Sequence, residues 1–294
     1  MVRDLLKTNI SNIKNNFFKF LKKFYVLIIL FLIYSPLIMI VLLSFNGQTK
    51  KGNINMNFNH NFSLTNYFYL VKNNDFLNDL LNSFIVAIIT TPITIMIALM
   101  ACIGLWNSKK NQRNLIIGVC KATFVLPEPI IAISLFMLFT FTSIPLGFNF
   151  GLLTICLAHI SYYSPYAVMI IYPKVIKLNT NLILASYDLG YSKIKTFFNI
   201  ILKTLLPSLL SATIVVFGLS FDEFIITNLV NGSFHTISTK MYMTRKGIKA
   251  WIITFGAIII LLSIFITSFV AFIKTKKMKK YWSLKTRRKY ENKI

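Results

Sequence analysis

"KVIKLNTNLILASYDLGYSKIKTFFNIILKTLLP", Lys174–Pro207, joins two long apolar runs without being one itself. Asn179, Thr180 and Asn181 place side-chain acceptors just ahead of "LILASYDL", where the first N–H groups of a helix need partners. A short helix is predicted there. Gly190 follows, the residue that most readily takes the left-handed turn closing a helix. Ser192 can cap a second helix, whose Phe197, Phe198, Ile200 and Ile201 are unexpectedly apolar for a solvent-facing connection. Helix, glycine bend and helix make a compact knuckle. Physical chemistry alone leaves it two roles, an amphipathic element on its own bilayer or a knob filling a groove on another protein.

Outward from this loop the chain is dominated by apolar runs. Its 294 residues are 55% hydrophobic with mean hydropathy +0.66, more than one soluble core could bury. Runs of about 20 apolar residues suffice to cross a hydrocarbon layer as helices. Six such runs occur, near Phe24–Phe45, Leu81–Gly104, Ala122–Phe141, Gly151–Tyr172, Pro207–Ile226 and Trp251–Ile273. The expected fold is all-α, a polytopic membrane protein with six transmembrane helices. The first run follows the basic "FFKFLKKF" but is too long for a cleaved signal and lacks a small-x-small site, so it reads as an uncleaved anchor.

Lys and Arg set the orientation. Twenty-five fall in the tail 1–23, the second-to-third and fourth-to-fifth connections and the tail from Lys274, against seven on the other side. Both termini are therefore expected in the cytoplasm, with basic tails at 1–23 and 274–294 around a membrane domain at 24–273. The loop 174–207 is then cytoplasmic. The net charge of +24 is spread over short loops and tails, with no aromatic-interleaved basic domain. Contact with anionic lipid headgroups accounts for it better than nucleic acid does. Cys102, Cys120 and Cys156 are odd in number and widely spaced, which supports neither a disulfide framework nor a metal site.

The apolar runs hold three acids: Glu128 in the third, Asp222 and Glu223 in the fifth. A charge at mid-membrane costs at least about 2.5–3.5 kcal/mol on insertion scales, so each is a candidate functional residue. Asp222 would sit about 22 Å along a helix starting at Pro207. Successive helical residues diverge by about 100°, so Asp222 and Glu223 are expected on different faces. Pro127 and Pro129 disturb backbone bonding around Glu128. Tyr162, Tyr163 and Tyr166, with Phe221 beside Asp222, could add cation–π contacts to an alkylammonium. Other roles stay open: a gate ion pair or hydrated acids, a neutral Glu128 and packing tyrosines. His159 reads as a structural hydrogen-bonding histidine. The basic segment Ser238–Lys249 reads as an outer loop closing the exit side, although its charge would repel a polycation.

The knuckle resembles the EAA loop of binding-protein-dependent ABC importer permeases, whose pattern is Glu-Ala-Ala, three residues, Gly, nine residues, Ile-x-Leu-Pro. Leu184, Ala185 and Ser186 take the first places, Gly190 is in register, and Ile200 and Leu202 follow at the right gap. Leu184 replaces the family glutamate and Lys203 the proline, with Pro207 four residues on. "VLPEPIIAISLFMLF", "IPLGFNFGLLTICLAHISYYSPYAVMIIY" and "LSFDEFIITNLVNG" resemble segments of permeases from spermidine/putrescine importers, so the likeness spans roughly 81–273.

The resemblance implies a type I ABC importer permease fold in the bacterial plasma membrane and alternating-access import of polyamines. Ala185, Ser186, Asp188 and Gly190 would couple the chain to a cytoplasmic ABC ATPase dimer. Glu128, Asp222, Glu223, Tyr163, Tyr166 and Phe221 would line the substrate pathway. A second homologous permease and an extracellular substrate-binding protein are the other implied partners. The sequence has no GxxxxGK[ST] phosphate loop, so ATP and Mg would be used by the partner ATPase and the chain itself would carry no cofactor and no catalysis. The alternatives are a permease for a sugar, phosphate or metal complex and, in a different class, a membrane-embedded enzyme. The sequence offers the enzyme reading no HExxH or GxSxG signature.

Overall fold

The structure is a computed structural model and describes residues 24–56, 62–244 and 247–291. The basic tail at 1–23, together with Arg245 and Lys246 of the outer segment, lies outside the described residues. The chain divides into two compact units, Asn74–Thr244 and the segments Met1–Asn73 with Arg245–Ile294.

The flanking unit contains α1 (Phe24–Ser44), α2 (Thr65–Lys72) and α12 (Ala250–Glu291). The apolar faces of α1 and α12 are largely exposed on this chain, as suits helices bounded by lipid or by other subunits. Asn66 closes α2 onto the end of α1 by donating to the Asn46 carbonyl at 2.6 Å. Gly52, in the left-handed region at φ 72°, turns the loop between them so that Thr49 N bonds the Asn53 carbonyl at 2.8 Å.

The central unit runs α3 (Asn74–Asn107), α4 (Lys110–Val125), α5 (Glu128–Leu146), α6 (Leu152–Val175), α7 (Thr180–Asp188) and α8 (Lys193–Thr196). A π turn at Phe197–Ile201 follows, then α9 (Leu202–Asp222), α10 (Ile225–Val230) and α11 (Ile237–Met243). Its core is the meeting of α3, α6 and α9. Small side chains recur along the buried face of α3 at Ser83, Ala87, Thr90, Thr94, Ala98 and Cys102, and Ala158 and Ala167 answer them from α6. Where lipid is as apolar as the packed side chains, small residues that let backbones approach drive association. Thr90 lies beside Ser220, which touches His159, while Cys102 reaches the Val168 carbonyl. These contacts make α3 and α6 parallel; α9 is antiparallel to both, since its Ser220 meets His159 while its earlier Val215 lies by Tyr166 and Ile170 further along α6. The start of α3 and the end of α9 therefore share one end of the unit, and the knuckle lies at the other.

Two expected spans differ from a single straight helix. The third apolar run, expected as Ala122–Phe141, is bent by 108° between α4 and α5. Leu126 is extended at ψ 132°, as the residue before a proline prefers, and Pro127 cannot donate back into the preceding turn. Among the described residues five helices are long and apolar enough to cross a membrane, and this bent pair makes six. The fifth span does not begin at Pro207. It is continuous from Lys193 to Asp222, with Pro207 inside it. It also stops before Ile226, because Glu223 is extended at ψ 123°.

Candidate functional site

The two helix breaks face each other. α5 packs against α10, so Glu128 at the start of α5 and Glu223 in the gap between α9 and α10 are brought together. The Glu128 carboxyl lies close enough to that of Glu223 for the two to interact electrostatically. Glu223 is buried, and both its carboxyl oxygens are engaged. Oε1 accepts from Ile226 N at 2.9 Å, satisfying an N–H that opens α10. Oε2 accepts from the Tyr163 hydroxyl at 2.5 Å, which also lies 3.1 Å from the Leu219 carbonyl oxygen. Each acid thus sits at a helix start, where free N–H groups favour negative charge.

The unbroken α6 supplies the aromatic wall. Tyr162, Tyr163 and Tyr166 pack with ring centroids 5.0–5.9 Å apart, and the Tyr162 and Tyr166 hydroxyls are 3.2 Å apart. Tyr166 also meets Phe124 of α4 at 4.2 Å. On the knuckle side of this cluster lies an open cleft of about 480 Å³ lined by Lys121, Phe124, Tyr166, Met169, Ile170 and Val215.

Asp222 and Phe221 stand apart from that wall. Asp222 ends α9 and is exposed on this chain, within electrostatic range of Glu223. Phe221 packs at a tilt against Phe84 at 4.9 Å and stacks parallel to Phe217 at 6.5 Å. Asp222 and Glu223 do diverge, but because the helix ends between them rather than because of its 100° step.

The break at Glu223 has no proline or glycine to cause it, and a buried polar chain holds it in place. Thr90 donates to the Val86 carbonyl at 2.8 Å, which leaves its oxygen to accept from Ser220 at 2.9 Å. Ser220 then accepts from His159 Nδ1–H at 2.8 Å, and Nε2 accepts from the Thr227 hydroxyl at 2.9 Å. His159 therefore bridges Ser220 before the break to Thr227 after it. The sequence reading anticipated a hydrogen-bonding histidine but singled out neither hydroxyl partner. A Ser and a Thr placed seven residues apart around an acidic pair are the signal that could have found them.

The knuckle follows its local chemistry. Asn179 Oδ1 accepts from Asn181 N at 3.0 Å, and Ser192 Oγ from Lys195 N at 3.3 Å. Gly190, at φ 79°, closes α7 in a Schellman turn: Tyr191 N bonds the Ser186 carbonyl and Gly190 N the Tyr187 carbonyl, both at 2.9 Å. Ser186 is buried and ties the two helices through Thr196 at 2.8 Å. Leu184, Tyr187, Leu189, Tyr191 and Ile194 are exposed around it, with Ala185 and Asp188.

A helical membrane unit with two broken spans and a helix–glycine–helix knuckle defines the permease component of a binding-protein-dependent importer. Residues 63–280 match the family model "Binding-protein-dependent transport system inner membrane component", and the chain belongs to that family. It is a multi-pass protein of the bacterial plasma membrane. It is 41% identical over 255 residues to a spermidine/putrescine transport system permease protein PotC homolog of Mycoplasma genitalium, covering 85% of this chain and 90% of the relative. A PotC homolog of Mycoplasma pneumoniae is 43% identical over 241 residues, 81% of this chain and 84% of that one. The PotC permease of Escherichia coli is 24% identical over 234 residues, 79% of this chain and 85% of that one. Among solved structures, the MetNI methionine ABC transporter in inward-facing conformations matches with TM-score 0.53 at 15% identity, covering 71% of this chain and 95% of that one. That likeness establishes the type I permease fold.

Proposed function

We propose that the chain is one of two permease halves of an ATP-driven importer that brings polyamines into the cytoplasm. The observation that carries this reading is the Glu128–Glu223 pair at two facing helix breaks, walled by Tyr162, Tyr163 and Tyr166. A linear polyamine presents ammonium groups joined by alkyl segments. Carboxylates replace part of the water each ammonium loses, and tyrosine faces suit the alkylammonium between them. The names of the Mycoplasma and E. coli relatives support the same substrate class. On this reading Glu128, Glu223, Tyr163 and Tyr166 contact substrate, Asp222 adds negative charge from the end of α9, and Phe221 packs the α3–α9 contact.

Substrate arrives on an extracellular binding protein. ATP and Mg are used by a separate cytoplasmic ATPase dimer that grips the exposed surface around Ala185, Asp188 and Gly190, with Ser186 holding the knuckle together. Alternating access then follows from the different affinities of the two states for substrate. The test is uptake of labelled spermidine and putrescine into vesicles carrying the full complex, with Glu128→Gln as the variant. ATP-dependent uptake that the variant reduces while still assembling supports the reading. A native, ATPase-active complex that moves no polyamine, or that is competed only by sugars or phosphate, overturns the substrate class.

A further inference from the structure

At the end of the central unit opposite the knuckle, α11 is fastened to the start of α3 by an ion pair. Lys240 Nζ lies 3.4 Å from Asp79 Oδ2, with the lysine side chain 43% exposed and the aspartate side chain 10%. Among the described residues Asp79 Oδ2 makes no hydrogen bond, so the lysine ammonium is what answers its charge. Asp75, one turn nearer the helix start and on the same face, is exposed.

α11 is also held by neutral contacts, two of which reach the break in the fifth span. Ile237 N donates to Ser83 Oγ at 2.9 Å, Ser238 donates to the Glu223 carbonyl at 2.8 Å, and Tyr242 stacks on Phe224 at 3.9 Å. α11 is therefore seated on the residue that the pathway reading places at its centre.

The two members of the ion pair are not equivalent. Lys240 can swing into water at little cost, because its side chain is already 43% exposed. Asp79 is buried and cannot be left without a cation. α11 can lift from α3 only when another cation takes the place of Lys240. We propose that Asp79 is a receiving site for a substrate ammonium at the outer mouth, and that Lys240 is its placeholder. An incoming primary ammonium on an alkyl chain, chemically the same group as a lysine head, displaces Lys240, frees α11 and is passed on toward Glu223. Neutral and anionic solutes cannot make this exchange. A basic residue at the mouth of a polycation pathway thereby acquires a purpose. The inference rests on the polyamine reading.

The experiment compares the native full complex with Asp79→Asn, Lys240→Met and the charge swap Asp79→Lys/Lys240→Asp, each checked for co-purification with its partners. The apparent KM for spermidine is read in vesicles. Asp79→Asn is expected to raise KM about tenfold, since one charge-assisted bond is lost. Lys240→Met is expected to lower KM, because the competing ammonium is gone, and this arm decides the matter should Asp79→Asn fail to assemble. The swap is expected to remain impaired, because it restores a clasp but moves the carboxylate to α11. Native uptake in the swap, or equal losses in both single variants, makes the pair a structural clasp and overturns the proposal while polyamine transport stands. A native complex that moves no polyamine overturns both.

Discussion

Replacing Glu223 by glutamine and by alanine separates what its charge does from what its hydrogen bonds do. Glutamine keeps an oxygen for Ile226 N, now met at 2.9 Å, and Tyr163 can turn its proton to the Leu219 carbonyl, 3.1 Å away. Folding and assembly should therefore change by less than about 1 kcal/mol, since each donor still finds an acceptor. What glutamine loses is the negative charge facing Glu128 and the tyrosines. A hydrogen bond to a charged partner contributes about 1.5–3 kcal/mol, so the apparent KM for polyamine should rise roughly ten- to a hundredfold.

Alanine removes both acceptors at a site only 6% exposed. It leaves Ile226 N and, in part, the Tyr163 hydroxyl without partners, at about 1–3 kcal/mol for each group. Glu223→Ala should thus lower the melting temperature of the detergent-solubilised complex and its yield as well as its uptake. The assay is vesicle uptake for transport, with thermal melting and co-purification for integrity. Normal uptake by a well-assembled Glu223→Gln complex would refute the claim that this carboxylate meets the substrate. Identical behaviour of the two variants in both assays would refute the division between charge and hydrogen bonding.

Gly190→Val should weaken capture of the ATPase while leaving the membrane helices folded, because φ 79° costs a β-branched residue at least about 1–2 kcal/mol; Gly190→Asn should retain more, and co-purification decides. His159→Leu leaves the Ser220 and Thr227 hydroxyls short of partners on either side of the helix break, so thermal melting should show a loss of about 1–3 kcal/mol per hydroxyl. Gly232→Ala should sharply reduce the yield of folded protein, because its Cβ would stand 2.2 Å from the Phe150 carbonyl oxygen at φ 56°.

The knuckle was legible because its causes are local. Asn179, Ser192 and Gly190 each act within two to five residues, and the observed caps and turn fall on them. The third span was half legible: Pro127 and Pro129 announced disturbed bonding, yet an apolar run long enough to cross a bilayer hides a 108° bend inside it. The break at Glu223 was not legible, because it is made by residues from other helices. Ser220 and Thr227 become special only when α6 brings His159 between them and α3 brings Thr90. Hydropathy could not reveal the packed face of α3 either, since its lipid-facing side is just as apolar. The spacing of its small residues was the readable sign. Asp79 was passed over because it fell in a connection by run length, whereas α3 extends back to Asn74 and buries it.

The coincidence of break and acid has a mechanical consequence on the proposed reading. From Lys193 to Asp222 the chain is one uninterrupted helical rod of 30 residues, about 45 Å at 1.5 Å per residue. One end is tied by Ser186 and Thr196 to the knuckle proposed to meet the ATPase, and the other ends at Glu223. A tilt imposed at the knuckle is therefore delivered to the substrate carboxylate with no intervening loop to absorb it. The π turn at Phe197–Ile201 is the one irregular stretch along the rod, and it lies beside the driven end rather than beside the substrate. Glu223 belongs to this rod, while Glu128 belongs to α5 and Tyr163 to α6. Tilting the rod must lengthen or re-aim the Tyr163–Glu223 bond and part the two carboxyls. On the proposed reading, the movement that opens the way would also weaken the grip on an ammonium held between them, so release would follow from the geometry that made binding possible.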